Sequence, residues 1–134
     1  MNIYEKDNLL VIKDVLSFNP EHIFECGQCF RWNKNEDNSY TGIAFKKAIR
    51  IWEENGTVFI EGSTKEDFFS IWHSYFDFDT DYEKIKAALE NDKIVKEAIK
   101  SGYGIRILRQ EIFETVISFI ISQNNNIPRI KLII

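Results

Sequence analysis

The chain has 134 residues, a length that allows one domain, or one domain with part of another. It carries 17 basic and 21 acidic side chains, for a net charge of −4, and 14% of it is aromatic, with 11 Phe and 3 Trp against 2 Pro. Such a composition excludes a disordered or low-complexity chain, and no run approaches the ~20 apolar residues that a membrane span needs.

The first sixty residues read as strands. Leu9-Leu10-Val11-Ile12 is a short apolar run, and Ile23 to Trp32 is expected as a second strand with Ile23, Phe24, Phe30 and Trp32 as its bulky members. Asn35–Ser39 is turn chemistry, and Tyr40 to Phe45 follows as a strand. The segment from Ile49 to Glu53 alternates apolar and polar, as a half-buried strand does. Asn55-Gly56 marks a tight hairpin, because both residues accept positive φ, and Thr57–Glu61 returns. Consecutive strands with short turns imply an antiparallel meander.

The pattern changes at Ser63. Ser63 with Glu66, and Thr80 with Glu83, have capping-box spacing. The first opens a helix holding Phe68, Phe69, Ile71, Trp72, Tyr75 and Phe76; the second opens one with Ile85 and Leu89 on one face. Asp92 is expected to cap a third helix, ended by Gly102 and Gly104. A fourth, from about Gln110 to Ser122, is apolar nearly all round, which belongs in the middle of a domain and calls for further helices as partners. Asn124-Asn125-Asn126 breaks it, and Pro128 suits the first turn of another helix. That last helix runs into Ile134 without a polar cap, so the expectation is the N-terminal piece of a longer protein.

Charge is unevenly placed. Residues 99–134 hold Lys100, Arg106, Arg109, Arg129 and Lys131 against Glu111 and Glu114, a balance of +3, which leaves −7 for residues 1–98. The acidic part is a poor nucleic-acid footprint, and the basic part is the candidate beginning of one. The charged start, Asn2 to Asp7, is unlike a secretory signal, and two cysteines make no disulfide framework. A reducing, cytoplasmic setting without a signal peptide is therefore expected.

Four features invite a chemical reading. Cys26-Gly27-Gln28-Cys29 lacks the further ligands of a zinc site. If its segment is a strand, the two sulfurs point to opposite faces, and it does not open a helix as redox pairs do. Gly27 is either a bulge or kink, or a place where another molecule must approach the backbone. The three asparagines are either a helix C-cap and N-cap or a dense set of donors and acceptors. Arg129, a cation in a first turn, opposes the helix dipole and is either solvated or held for a ligand. His73 and the Phe/Trp helix read as structural. No triad, phosphate loop, paired carboxylate, metal site or cofactor motif stands out.

Two segments, Gly27-Gln28-Cys29-Phe30-Arg31-Trp32 and the run from Gly104-Ile105-Arg106-Ile107-Leu108-Arg109-Gln110 through Ser118–Ile130 with its Asn124-Asn125-Asn126, resemble 8-oxoguanine DNA glycosylases. Tyr75-Phe76-Asp77 and Asp79 fall where that family has a similar stretch. The resemblance implies an α+β fold: an antiparallel sheet with flanking helices, like half of a TATA-binding protein, over residues 1–103. The first helices of an all-α helix-hairpin-helix domain would follow over residues 104–134. It implies base-excision repair on double-stranded DNA containing 8-oxoguanine, by a glycosylase and abasic-site lyase that acts as a monomer when full length and uses no cofactor.

The resemblance also assigns roles. The backbone carbonyl of Gly27 would accept from N7–H of the flipped lesion, a proton that normal guanine lacks. Asn124 would fill the space left by the extruded nucleotide and contact the orphaned cytosine, and Arg129 would donate to that cytosine. The family's catalytic lysine and aspartate fall beyond Ile134, so no catalytic residue is expected in this chain. Cys29 stands where some relatives have serine, and Pro128 where they have a small residue. The alternatives are an alkylated-purine glycosylase of the same architecture, which uses the aspartate without the lysine, and a non-catalytic module that holds DNA or a partner.

Overall fold

The computed structural model describes residues 1–134. A six-stranded antiparallel sheet is built from β1 (Asn2–Lys6), β2 (Leu9–Lys13), β3 (Trp32–Lys34), β4 (Tyr40–Ala44), β5 (Lys47–Glu54) and β6 (Thr57–Glu61) in the order β1-β2-β6-β5-β4-β3. β3 to β6 form the expected meander, but the β1–β2 hairpin pairs through β2 with β6, on the opposite side from β3. β1 has no sequence signal, being mostly polar. Its turn, Asp7-Asn8, takes positive φ at both residues without a glycine, which Asp and Asn tolerate. Asn55 and Gly56 do the same between β5 and β6, as their identities foretell.

Alternation places Leu10 and Ile12 of β2, Ile49 and Ile51 of β5, and Val58 and Ile60 of β6 on one buried face. Their register joins Leu10 to Ile60, Ile12 to Val58 and Ile51 to Ile60. Covering that face is a helical run in three parts: α2 (Lys65–Asp67), a π-helical turn (Phe68–Trp72) and α3 (His73–Tyr75). Phe68, Trp72 and Phe76 are fully buried, spaced so that one stripe of the run meets the sheet. The capping box that opens it is Thr64 with Asp67, one residue after the expected Ser63 and Glu66.

The segment expected as a strand from Ile23 to Trp32 is a helix, a loop and only the start of a strand. α1 (Pro20–Phe24) is set by Asn19, whose side chain accepts from the amides of Glu21 and His22, with Pro20 in the first turn. Asn-Pro is a helix start, and Ile23 and Phe24 reach the core from a helix instead of a pleat. The argument that the two sulfurs lie on opposite faces of a strand therefore falls away; Cys26 is exposed and Cys29 buried.

α4 (Tyr82–Leu89) is capped by Asp81 instead of Thr80, while α5 (Lys93–Ser101) has Asp92 as its cap and ends at Gly102, as expected. α6 (Ile112–Ser122) and α7 (Ile127–Ile133) close the chain. Nearly apolar all round, α6 is not enclosed: Ile112 and Phe113 are 81% and 72% exposed. No helix is long and apolar enough to cross a membrane.

Candidate nucleic-acid interface

The loop from Glu25 to Arg31 leaves α1 and enters β3. Its upstream end is fixed by the Glu25 amide, which donates to the Glu21 carbonyl at 3.0 Å, and by Cys26 Sγ on the Ile23 carbonyl at 3.3 Å. Its downstream end is fixed by Trp32, which stacks on Phe24 with centroids 4.1 Å apart and donates through Nε1 to the Tyr75 hydroxyl at 2.9 Å. Cys29 packs into the core, and burial, with the neighbouring Cys26 adding to it, pushes its thiol up to about 12. A thiol so raised is a poor nucleophile and metal ligand. No group of side chains here is arranged to hold a metal ion.

Gly27 sits at the loop's exposed tip with φ +85°, where a side chain would strain the backbone although space is open around its Cβ position. No donor of the protein pairs with its carbonyl. Gln28, next to it, is the most heavily bonded residue of the loop. Its Nε2 donates to the Ile23 carbonyl at 2.9 Å and the Arg106 carbonyl at 2.8 Å, and its Oε1 accepts from the Leu108 amide at 2.9 Å. Its own carbonyl accepts from Gln110 Nε2.

All of these partners but Ile23 belong to an extended strap, residues 104–110, laid across the domain. Arg106, only 5% exposed, anchors it by donating to the carbonyls of Leu16, Ser17, Phe76 and Asp77. Arg109 anchors it by pairing with Asp77 at 2.8 Å, and Tyr82 donates to the same carboxylate at 2.9 Å. Burial alone would raise the Asp77 pKa, but hydrogen bonds from Thr80, Arg109 and Tyr82 outweigh it and hold the carboxyl below its ordinary value.

At the other end of the chain, α6 passes into α7 through the asparagines. Asn124 takes the left-handed conformation, φ +51°, that ends a helix. Asn125 Nδ2 donates back to the Ile121 carbonyl, and Asn126 caps α7 by accepting from the Arg129 amide at 3.0 Å. The capping reading thus accounts for two side chains of the triplet; that of Asn124 is exposed and makes no hydrogen bond within the protein.

The five cations of the last segment divide in the same way. Arg106 is buried, Arg109 is paired with Asp77, and Lys100 with Glu97 at 2.7 Å. Lys131 donates to the Trp32 carbonyl at 2.9 Å and faces Glu25 at 3.9 Å. Arg129 alone is exposed without an acidic partner. The expected basic patch is therefore one free arginine. Gly27 does not bond to Asn124 or Arg129, but their segments are joined. Arg31, beyond Gly27, pairs with Glu114 of α6 at 3.0 Å, and Lys131 of α7 reaches the loop's two ends.

Sequence reasoning missed the work of Gln28, Arg106 and Asp77. Each is an isolated polar residue with no periodic signal, and only the tertiary contacts show what it bonds.

The family model described as "8-oxoguanine DNA glycosylase, N-terminal domain" matches residues 10–116. The chain belongs to the 8-oxoguanine DNA glycosylase family. Among solved structures, it is similar to that of MBOgg1 in complex with a low-affinity DNA ligand, at 48% identity and a TM-score of 0.94, over 97% of this chain and 45% of that one. It is similar to the 8-oxoguanine glycosylase/lyase of Clostridium acetobutylicum in its apo form, at 44% identity and a TM-score of 0.93, over 96% of this chain and 45% of that one. The same enzyme in complex with double-stranded DNA containing cytosine opposite 8-oxoguanine matches at 44% identity and 0.94, over 98% and 45%. The chain thus spans about half the length of these family members.

Proposed function

We propose that this chain is the N-terminal part of a base-excision repair enzyme, a DNA glycosylase and abasic-site lyase that flips out 8-oxoguanine opposite cytosine and excises it. The observation that carries the reading is the Gly27 carbonyl, free of intramolecular partners at the tip of a loop anchored on both sides, in a chain of this family. Oxidation converts N7 of guanine from an acceptor to a donor. A fixed carbonyl accepts from the lesion and faces the lone pair of the normal base, a mismatch worth about 1–3 kcal/mol when water is excluded.

Asn124 and Arg129 act on the opposite strand. Flipping a nucleotide costs a few kcal/mol. The free Asn124 side chain fills part of the gap, and the Arg129 guanidinium donates to N3 and O2 of the orphaned cytosine, both acceptors. Residues 1–103 form the sheet domain and residues 104–134 begin the helical one, whose further helices cover the apolar faces of α6. The lysine that attacks C1′ of the sugar and the aspartate that assists it lie outside these residues, so the 134-residue chain alone is inactive.

The test is covalent trapping. The full-length protein and this chain are each incubated under borohydride with a duplex carrying 8-oxoguanine opposite cytosine. An adduct with the full-length protein only is the expected result. Excision without an adduct would favour the lysine-free alkyl-purine chemistry, and an adduct with the chain alone would refute the division of labour.

A further inference from the structure

A glycine is a poor holder of a directed carbonyl. It has the widest backbone freedom of any residue, and the Gly27 carbonyl has no intramolecular partner to aim it. The Gly27–Gln28 peptide plane must be oriented from outside Gly27, and Gln28 is the neighbour placed to do so.

We propose that Gln28 is a positioning residue for lesion recognition: its side-chain amide locks the Gly27–Gln28 peptide to the 104–110 strap and to the end of α1. This inference rests on the role proposed above for the Gly27 carbonyl. Both Nε2 protons are used, on the Ile23 and Arg106 carbonyls, and Oε1 takes the Leu108 amide. The orientation of the amide is therefore unique, because a flipped group would set Oε1 against two carbonyls and the NH2 against an N–H. With its side chain bound at three points and its carbonyl held by Gln110, Gln28 has no backbone freedom to transmit to the peptide before it. Glutamate has the same length but offers no donor for the two carbonyls. Methionine has similar volume and offers neither donor nor acceptor of comparable strength.

The lock also ties lesion sensing to the strap. Residues 106 and 108 bond Gln28, while Arg106 and Arg109 fasten the same strap to the sheet domain and to the turn at Asp77. Arg31 and Glu114 then continue the connection to α6.

The experiment uses the full-length protein and two duplexes, one with 8-oxoguanine opposite cytosine and one with a tetrahydrofuran abasic analogue opposite cytosine. The second duplex needs the same fold and the same contacts from Asn124 and Arg129 but presents no base to the Gly27 carbonyl. Gln28→Met is expected to lose about tenfold in affinity for the lesion duplex, the size of one directed hydrogen bond, with affinity for the abasic duplex unchanged. Gln110→Ala, which removes only the tether to the Gln28 carbonyl, is expected to show a smaller loss with the same selectivity. It carries the test alone if Gln28→Met does not fold. Equal losses on both duplexes, or no loss on either, would overturn the proposal. A wild-type protein that binds the lesion duplex no better than one with a normal guanine would instead overturn the functional reading beneath it.

Discussion

Arg106 is a buried cation with no carboxylate within reach of its guanidinium; its partners are backbone carbonyls. Nε donates to Ser17 at 2.8 Å, Nη1 to Asp77 at 2.9 Å and more weakly to Phe76 at 3.4 Å, and Nη2 to Leu16 at 2.9 Å. The rings of Tyr82 and Phe78 lie 4.8 and 5.0 Å from its Cζ. Hydrogen bonds to a charged group are each worth about 1.5–3 kcal/mol, and the desolvation of the guanidinium, several kcal/mol, offsets much of that sum. Replacing Arg106 by methionine keeps the volume and the apolar stem but strands the carbonyls without donors. The expected cost is about 2–4 kcal/mol, because each buried carbonyl left unpaired costs about 1–3 kcal/mol while the relieved desolvation of the guanidinium offsets part of the sum, against a total stability of about 5–15 kcal/mol for an ordinary domain. Lysine restores a charge but can satisfy only part of the set, so Arg106→Lys is expected to fall between. Urea unfolding followed by tryptophan fluorescence reads the effect, because Trp32 and Trp72 lie in the same core. A methionine variant within about 1 kcal/mol of wild type would refute the claim that this residue fastens the strap.

Two further outcomes follow from packing and charge. Gly42 lies across the sheet from Trp32, and a Cβ there would sit 2.2 Å from Trp32 Cδ2. Because Trp32 is wedged against Phe24, Gly42→Ala is expected to destabilise by about 1–3 kcal/mol, and an unchanged denaturation midpoint would show that the ring can move. Lys86, then Ser17 and Tyr103, hold the Glu83 carboxyl down to about 2, from 4.5. A depressed carboxylate contributes stability that is complete above its unfolded pKa and is lost as pH falls through the folded one. Wild type is therefore expected to lose stability between pH 4.5 and 2 in part through Glu83. Solvent exposure limits that part to about 1 kcal/mol or less. Glu83→Gln should flatten this share of the acid titration, and a parallel loss in the variant would remove Glu83 from the account.

Most of the sheet and of the helices is legible in the sequence because their signals are local. Alternation in Ile49–Glu53, the Asn55-Gly56 turn, Asp92 and Pro128 each act within a few residues, and the structure places strands, turns and helix starts there. The failures are also local signals, read against a stronger competitor. Bulky residues from Ile23 onward look like a strand, but Asn19 and Pro20 nucleate a helix first, and Gln28 in the loop that follows is held by contacts 78 to 82 residues away in sequence. β1 escapes because its pairing with β2 uses backbone that side-chain patterning does not report. For the site, Gly27, Asn124 and Arg129 come from resemblance to a family, whereas pattern alone left each with two readings.

To those readings the structure adds one physical observation, the hydrogen bonds a polar group lacks. A capping asparagine is consumed by the backbone, as Asn126 is, and a structural cation is consumed by carbonyls or carboxylates, as Arg106 and Arg109 are. The Gly27 carbonyl, the Asn124 amide and the Arg129 guanidinium have no such partners, yet each sits beside a residue that has several: Gln28, Asn125 and Asn126. Free polar groups on mobile backbone would lose entropy on meeting a ligand. These three lie on segments cross-linked by Arg31–Glu114 and Lys131–Trp32, which would preorganise them for the role proposed above. The density of internal bonds around three unbonded groups is therefore the observation that supports the recognition role proposed for them.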